Sequence, residues 1–142
     1  MNDLAAALFL SRGCAPADLP RLVKPSLRDW MPDPSLFADM DRAAARVADA
    51  VVSGQSVVVF GDYDVDGATS AAILIRHLRE LGAAASHYIP DRLLEGYGPS
   101  AEALVALKGA GADLVIAVDC GTQGFAALEA ARDAGLDVEA GT

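Results

Sequence analysis

Apolar residues follow two alternating periods along the chain. From Val57 to Phe60 four apolar residues, three of them β-branched, run without interruption, as expected of a parallel strand buried on both faces. An Ala-, Ile- and Leu-rich segment of helical period follows from Ala68 to Leu81 and stops at Gly82. The succession then repeats. Ala84 to Ile89 is a weaker strand, a helix runs from about Ser100 to Lys108, and the turn Gly109-Ala110-Gly111 leads to a strand from Leu114 to Val118. A helix from about Phe125 to Ala134 ends at Gly135. Such alternation predicts an α/β fold, a parallel sheet with helices on both faces. Leu136-Asp137-Val138 starts like a fourth strand that Glu139 to Thr142 is not expected to continue. This reads as a truncated or altered terminus, because so small a sheet leaves an exposed edge.

Upstream, Asn2 to Arg12 predicts a short helix ending at Gly13, followed by the proline-punctuated CAPADLPRLVKPSLRDWMPDP. Asp33-Pro34 opens a further helix, with Pro where its missing N–H costs least. Leu36, Met40, Ala44, Val47 and Val51 recur at helical spacing, and Gly54 closes it. The expected organisation is an N-terminal helical and irregular arm over residues 1–34 and an α/β domain over 35–142.

Composition narrows the function classes. The chain has 142 residues, about one domain, and 53% are hydrophobic, enough to bury a core. A net charge of −9 argues against a broad basic surface for nucleic acid, so a polyanionic substrate has to be met locally or through metal ions. Cys14 and Cys120 are too far apart in sequence for a metal-ligand motif and make no disulfide framework, which fits a reducing compartment. MNDLAAALFLSRG lacks a basic start, and no apolar run reaches the length of a membrane span, so no signal peptide or membrane segment is read and a cytoplasmic location is expected.

The stretch FGDYDVDG places Asp62, Asp64 and Asp66 at alternate positions directly after the first strand. D-x-D-x-D-G begins a calcium loop, but Ile73 stands at the twelfth position, where that loop needs a bidentate Glu. An aspartyl nucleophile of the dehalogenase type would want Thr or Val where Asp66 stands. A helix N-terminus accounts for one aspartate, most readily Asp66. Three packed carboxylates repel and raise one another's pKa unless a cation compensates. Asp119 directly follows the third predicted strand, and ligands of open parallel sheets bind at the carboxyl ends of strands where strand order reverses. With spatial order 2-1-3, Asp64 or Asp66 faces Asp119, and carboxylates without nearby Cys or His favour hard ions such as Mg²⁺ or Mn²⁺. In IPDRLLEGYGPS, Arg92 is a fork donor for phosphate, Gly96-Tyr97-Gly98 a tight turn carrying an aromatic, and Pro99-Ser100 a helix start. The plainer reading of that segment is a surface turn with an Arg92–Glu95 pair. His77 and His87 have no partner in spacing, Cys120 reads as a small buried residue beside the site, and Trp30 as packing.

In order and separation, GDYDVDGATSAA, IPDRLLEGYGPS and AVDCGT resemble the RecJ-type single-strand-specific exonucleases of the DHH phosphoesterase superfamily, as does the upstream SRG with KPSLRDWMPDPSLFADMDRAAARVADAV. The resemblance runs to about Val138. It implies a two-metal nuclease, with Mn²⁺ or Mg²⁺, that degrades single-stranded DNA from the 5′ end in repair and recombination, with single-strand-binding protein or helicase as partners. Carried over by position, Asp64, Asp66 and Asp119 are the implied metal ligands and catalytic residues, Asp62 a supporting carboxylate, and Arg92, Tyr97 and Ser100 substrate or site-supporting residues. The family's Asp-His-His motif belongs after the fourth strand, where EAGT stands here. The expectation is therefore a truncated phosphoesterase domain, not a competent nuclease alone. Two other readings stay open: a non-catalytic α/β module binding a partner or nucleotide, and a family member acting on short oligonucleotides, cyclic dinucleotides or pyrophosphate.

Overall fold

The computed structural model describes residues 3–140. Contacts divide the chain into two compact units, Met1–Met40 and Asp41–Thr142. The first holds helix α1 (Asp3–Ser11), a 3₁₀ turn at Pro16–Asp18, the short helices α2 (Leu19–Val23) and α3 (Leu27–Trp30), and a second 3₁₀ turn at Pro34–Leu36. The proline-rich stretch, expected to be partly irregular, is thus broken into single helical turns. Pro20 lies in the first turn of α2, where its missing N–H is tolerated. Ser26 caps α3 by accepting from the Asp29 N–H at 3.3 Å. Trp30 is exposed and not part of a core: the Arg21 guanidinium lies 4.7 Å over its ring, and its Nε1 donates to the Arg21 carbonyl at 3.2 Å.

The helix expected to open at Pro34 opens six residues later, as α4 (Met40–Val52). Asp33 caps only the 3₁₀ turn, accepting from the Ser35 N–H at 2.9 Å. Asp39, at φ 62°, then takes a left-handed conformation that no helix continues through. Leu36 is correspondingly exposed.

Beyond α4 come β1 (Ser56–Gly61), α5 (Val65–Glu80), β2 (Ala84–Tyr88), α6 (Ala101–Gly109), β3 (Leu114–Val118), α7 (Phe125–Asp133) and β4 (Asp137–Ala140). All strand pairs are parallel, in the order β2-β1-β3-β4, so the expected 2-1-3 arrangement holds. Alternation along β1 sends residues to opposite faces. Val57 and Val59 pack with Ala71, Ile75 and Leu78 of α5 and with Val47, Ala50 and Val51 of α4. Val58 and Phe60 pack with Leu104 of α6 and with Ala127 and Ala131 of α7. The sheet is covered on both faces, as its uninterrupted apolar strands require. The fourth strand does continue through Glu139 and Ala140, contrary to expectation, because pairing with β3 overrides their weak β propensity. Arg46 of α4 ties that strand down, its Nε and Nη2 reaching one Asp137 carboxylate oxygen at 3.0 and 2.9 Å.

Helix α5 begins three residues earlier than its apolar pattern suggested, which puts Gly67 inside its first turn. A Cβ on Gly67 would lie 2.5 Å from both the Asp62 nitrogen and the Asp62 carbonyl oxygen. Gly67→Ala therefore lowers the unfolding free energy by about 1–3 kcal/mol, as overpacking does. Alanine at an unconstrained helical position would instead raise it by about 1 kcal/mol. Urea denaturation of the metal-free protein distinguishes the two, and a stabilised variant would contradict the close packing.

Candidate metal centre

Strand register builds the site. Gly61 of β1 pairs with Val118 of β3, so the next residues, Asp62 and Asp119, leave neighbouring strands at the same level. Asp62 is buried, 4% exposed, and its Oδ1 accepts from the Tyr63 N–H at 2.7 Å. Asp64 is the N-cap of α5, its Oδ1 accepting from the Gly67 N–H at 3.0 Å. The cap is thus Asp64 and not Asp66, which lies inside the first turn, because the first helical bond runs from the Ala68 N–H to the Asp64 carbonyl. Asp119 sits at φ 58°, a left-handed conformation costing on the order of 1 kcal/mol for a residue with a side chain.

One carboxylate oxygen from each of Asp62, Asp64 and Asp119 lies within 4.8 Å of the others. The expected facing of first-loop and third-strand carboxylates is therefore found, with Asp62 as a full member. Asp66 stands outside this group of three and acts on it through its charge. The surroundings, then the negative charges of Asp64, Asp66 and Asp62 and a hydrogen bond to Asp64, push the Asp119 carboxyl above the ordinary carboxylate range. An all-oxygen, anionic donor set of this kind suits a hard divalent ion. Cys120 lies beside it, outside the carboxylate group, and in the metal-free chain burial first, then the charges of Asp62 and Asp119, push its thiol up to about 11.

The second loop is placed with equal definition. Tyr88 stacks on Phe60 with ring centroids 5.1 Å apart and donates its hydroxyl to Glu95, which also accepts from the Asp91 N–H at 2.8 Å. Glu95 is thus engaged by Tyr88 and Asp91, while the Arg92 guanidinium lies 4.9 Å over the ring of Tyr63, between Asp62 and Asp64 in sequence. Tyr97 donates to the Asp119 carbonyl at 3.1 Å. Ser100 caps α6 by accepting from the Ala103 N–H at 3.1 Å. His77 and His87 lie on α5 and β2, outside the carboxylate group.

A parallel α/β domain with convergent carboxylates at its topological switch point is the setting of many metal-dependent hydrolases. The DHH family, N-terminal domain, matches residues 56–139, and the chain belongs to that family. Among its relatives, the single-stranded-DNA-specific exonuclease RecJ of Bacillus subtilis (strain 168) is 36% identical over 138 residues, 97% of this chain and 18% of that protein. A crystal structure of exonuclease RecJ bound to manganese superposes with TM-score 0.64 and 41% identity over 70% of this chain and 26% of that one. RecJ from Thermus thermophilus in complex with Mg²⁺ gives TM-score 0.51 and 27% identity over 92% of this chain and 14% of that one. The resemblance to RecJ-type proteins is thereby borne out, and the chain spans about a fifth of the length of its curated RecJ relatives.

Two expectations follow from the electrostatics. Because the Asp119 pKa is raised, the folded chain keeps a proton that the unfolded chain has released above the ordinary value of about 3.9. Metal-free stability therefore falls as pH rises through the window from that value to the raised one, and the loss persists at neutral pH. Asp119→Asn removes this loss and raises the thermal midpoint in EDTA at about pH 7, where ordinary carboxylates are ionised; a lower midpoint would contradict the repulsion. In the folded protein, iodoacetamide labels Cys14, which is partly exposed, and spares Cys120. Peptide mass spectrometry reads this directly, and equal labelling would contradict a buried, protonated Cys120.

Proposed function

We propose that the chain supplies one wall of a metal-dependent phosphodiesterase centre that hydrolyses single-stranded DNA from the 5′ end, in repair and recombination. The observation that carries this reading is the convergence of Asp62, Asp64 and Asp119 at the carboxyl ends of β1 and β3. Support comes from relatives named as single-stranded-DNA-specific exonucleases and from related structures described as bound to manganese or Mg²⁺.

In this reading Asp62, Asp64 and Asp119 hold Mn²⁺ or Mg²⁺, and Asp66 adds negative charge at the rim. Bound divalent ions supply Lewis acidity toward a phosphodiester and lower the pKa of a bound water. The chain's own residues orient and admit. Asp64 is held by its cap on α5 and Asp62 by the Tyr63 N–H, so neither carboxylate has to be ordered when a cation arrives. Arg92, on the ring of Tyr63, offers a planar donor fork to a backbone phosphate near the carboxylates. Ser100 serves the site through the start of α6, its hydroxyl being engaged there. Neither of the chain's two histidines joins the carboxylate group.

The test is a chimera in which residues 3–140 replace the matching segment of the Bacillus subtilis relative. Mn²⁺-dependent cleavage of 5′-labelled single-stranded DNA is expected in the chimera. It falls by more than about 100-fold, beyond the usual cost of an outer-shell partner, in Asp64→Ala and in Asp119→Ala. Unchanged cleavage in both variants would sink the assignment. The 142-residue chain alone is expected to show no turnover, and multiple-turnover cleavage by it would show that three carboxylates suffice.

A further inference from the structure

We infer that Tyr97 is a positioning residue for Asp119: its hydroxyl holds the Asp119 peptide in the left-handed turn that directs the carboxylate at Asp62 and Asp64. The inference rests on the metal-centre reading proposed above and extends it to a residue that touches neither ion nor substrate in order to act. Among the described residues only Asp39 and Asp119 combine a side chain with positive φ. Such a conformation persists where the surroundings over-determine it, and three groups do so at Asp119.

On one side β3 fixes the chain up to Val118 through its register with Gly61. On the other, Gly121 at φ 98° is wedged so closely that a Cβ there would lie 3.2 Å from Ala117, 3.5 Å from Pro99 and 3.6 Å from Ala140. Between them, the orientation of the Asp119 carbonyl sets the plane of the 119–120 peptide, and the Tyr97 hydroxyl donates to that carbonyl at 3.1 Å. Burial does not explain why the Tyr97 ring lies there, since the residue is 67% exposed.

What delivers the ring is the backbone. Gly96 and Gly98, at φ 83° and 75°, turn the chain on both sides of Tyr97. Gly98 faces Cys120, and Pro99 lies against Gly121 and Gly124. The base of this strap is anchored where Glu95 accepts from the Tyr88 hydroxyl and the Asp91 N–H. The loop after β2 therefore reaches across the end of β1 to brace the loop after β3.

Tyr97→Phe keeps the ring and removes the donor. In the metal-free chain, backbone ¹⁵N order parameters at Asp119, Cys120 and Gly121 are expected near the rigid value of about 0.85 in the parent and to fall toward about 0.6 in the variant, with those of β1 unchanged. Mn²⁺ affinity, measured by titration of the bare ion, is expected to fall about 10-fold or more. Order parameters like the parent's would overturn the inference, and so would a loosened loop that binds Mn²⁺ within about twofold of the parent, against that expected loss. If the parent itself binds no Mn²⁺, the metal-centre reading fails and carries this inference with it. If parent and variant bind alike, only the role of Tyr97 falls.

Discussion

The turn from β1 into α5 depends on the absence of a side chain at Gly67. The helix begins so close to the strand it follows that its first turn rests on the Asp62 backbone, with no space for a Cβ. Gly61 shares the constraint, since a Cβ there would lie 3.0 Å from the Gly67 carbonyl oxygen and 3.2 Å from Ala71. Because the two backbones touch, Asp62 is buried at the strand end while Asp64, two residues on, caps the helix. A wider turn would separate those carboxylates. The same contact lets α5 lie along β1 and cover Val57 and Val59 from one face, so core and site share one packing requirement.

Electrostatics at this strand end favour a compensating cation. Asp119 is brought against two carboxylates, one of them buried, and desolvation first, then these charges, favour its protonated form. No lysine or arginine bridges the three among the described ion pairs, and Arg92 of the neighbouring loop is placed on the Tyr63 ring. Folding tolerates this repulsion, together with a strained φ at Asp119, because the register of β1 and β3 leaves the two aspartates no alternative level. Strain and like-charge crowding collected at one strand end are features that binding sites accept and ordinary surfaces avoid.

The parallel sheet was legible because β1 and β3 are continuous apolar runs between glycine-terminated helices, whereas the order 2-1-3 entered only as a condition that the pairing of β1 with β2 and β3 then met. Asp64 and Asp119 were legible for the same reason: each lies just beyond a strand end. Asp62, read as a supporting carboxylate, is the first residue after β1 as Asp119 is the first after β3, and it lies with Asp64 and Asp119. The start of α5 was missed because Asp64-Val65-Asp66-Gly67 has the composition of a loop, and only the tertiary contact at Gly67 shows the glycine serving a helix. In the arm, local prolines set the structure, and helical periodicity through Leu36 and Met40 was coincidence interrupted by Asp39. The brace from Tyr97 to Asp119 spans 22 residues and has no signature in spacing.

The central claim is that Asp62, Asp64 and Asp119 together form a site for a hard divalent cation. An anomalous difference map at the manganese edge, from crystals of the chain grown with Mn²⁺, tests it most directly. The account predicts a peak between these three carboxylates, absent when Mn²⁺ is replaced by EDTA. A map with no peak there, or with manganese bound only elsewhere on the acidic surface, would contradict it.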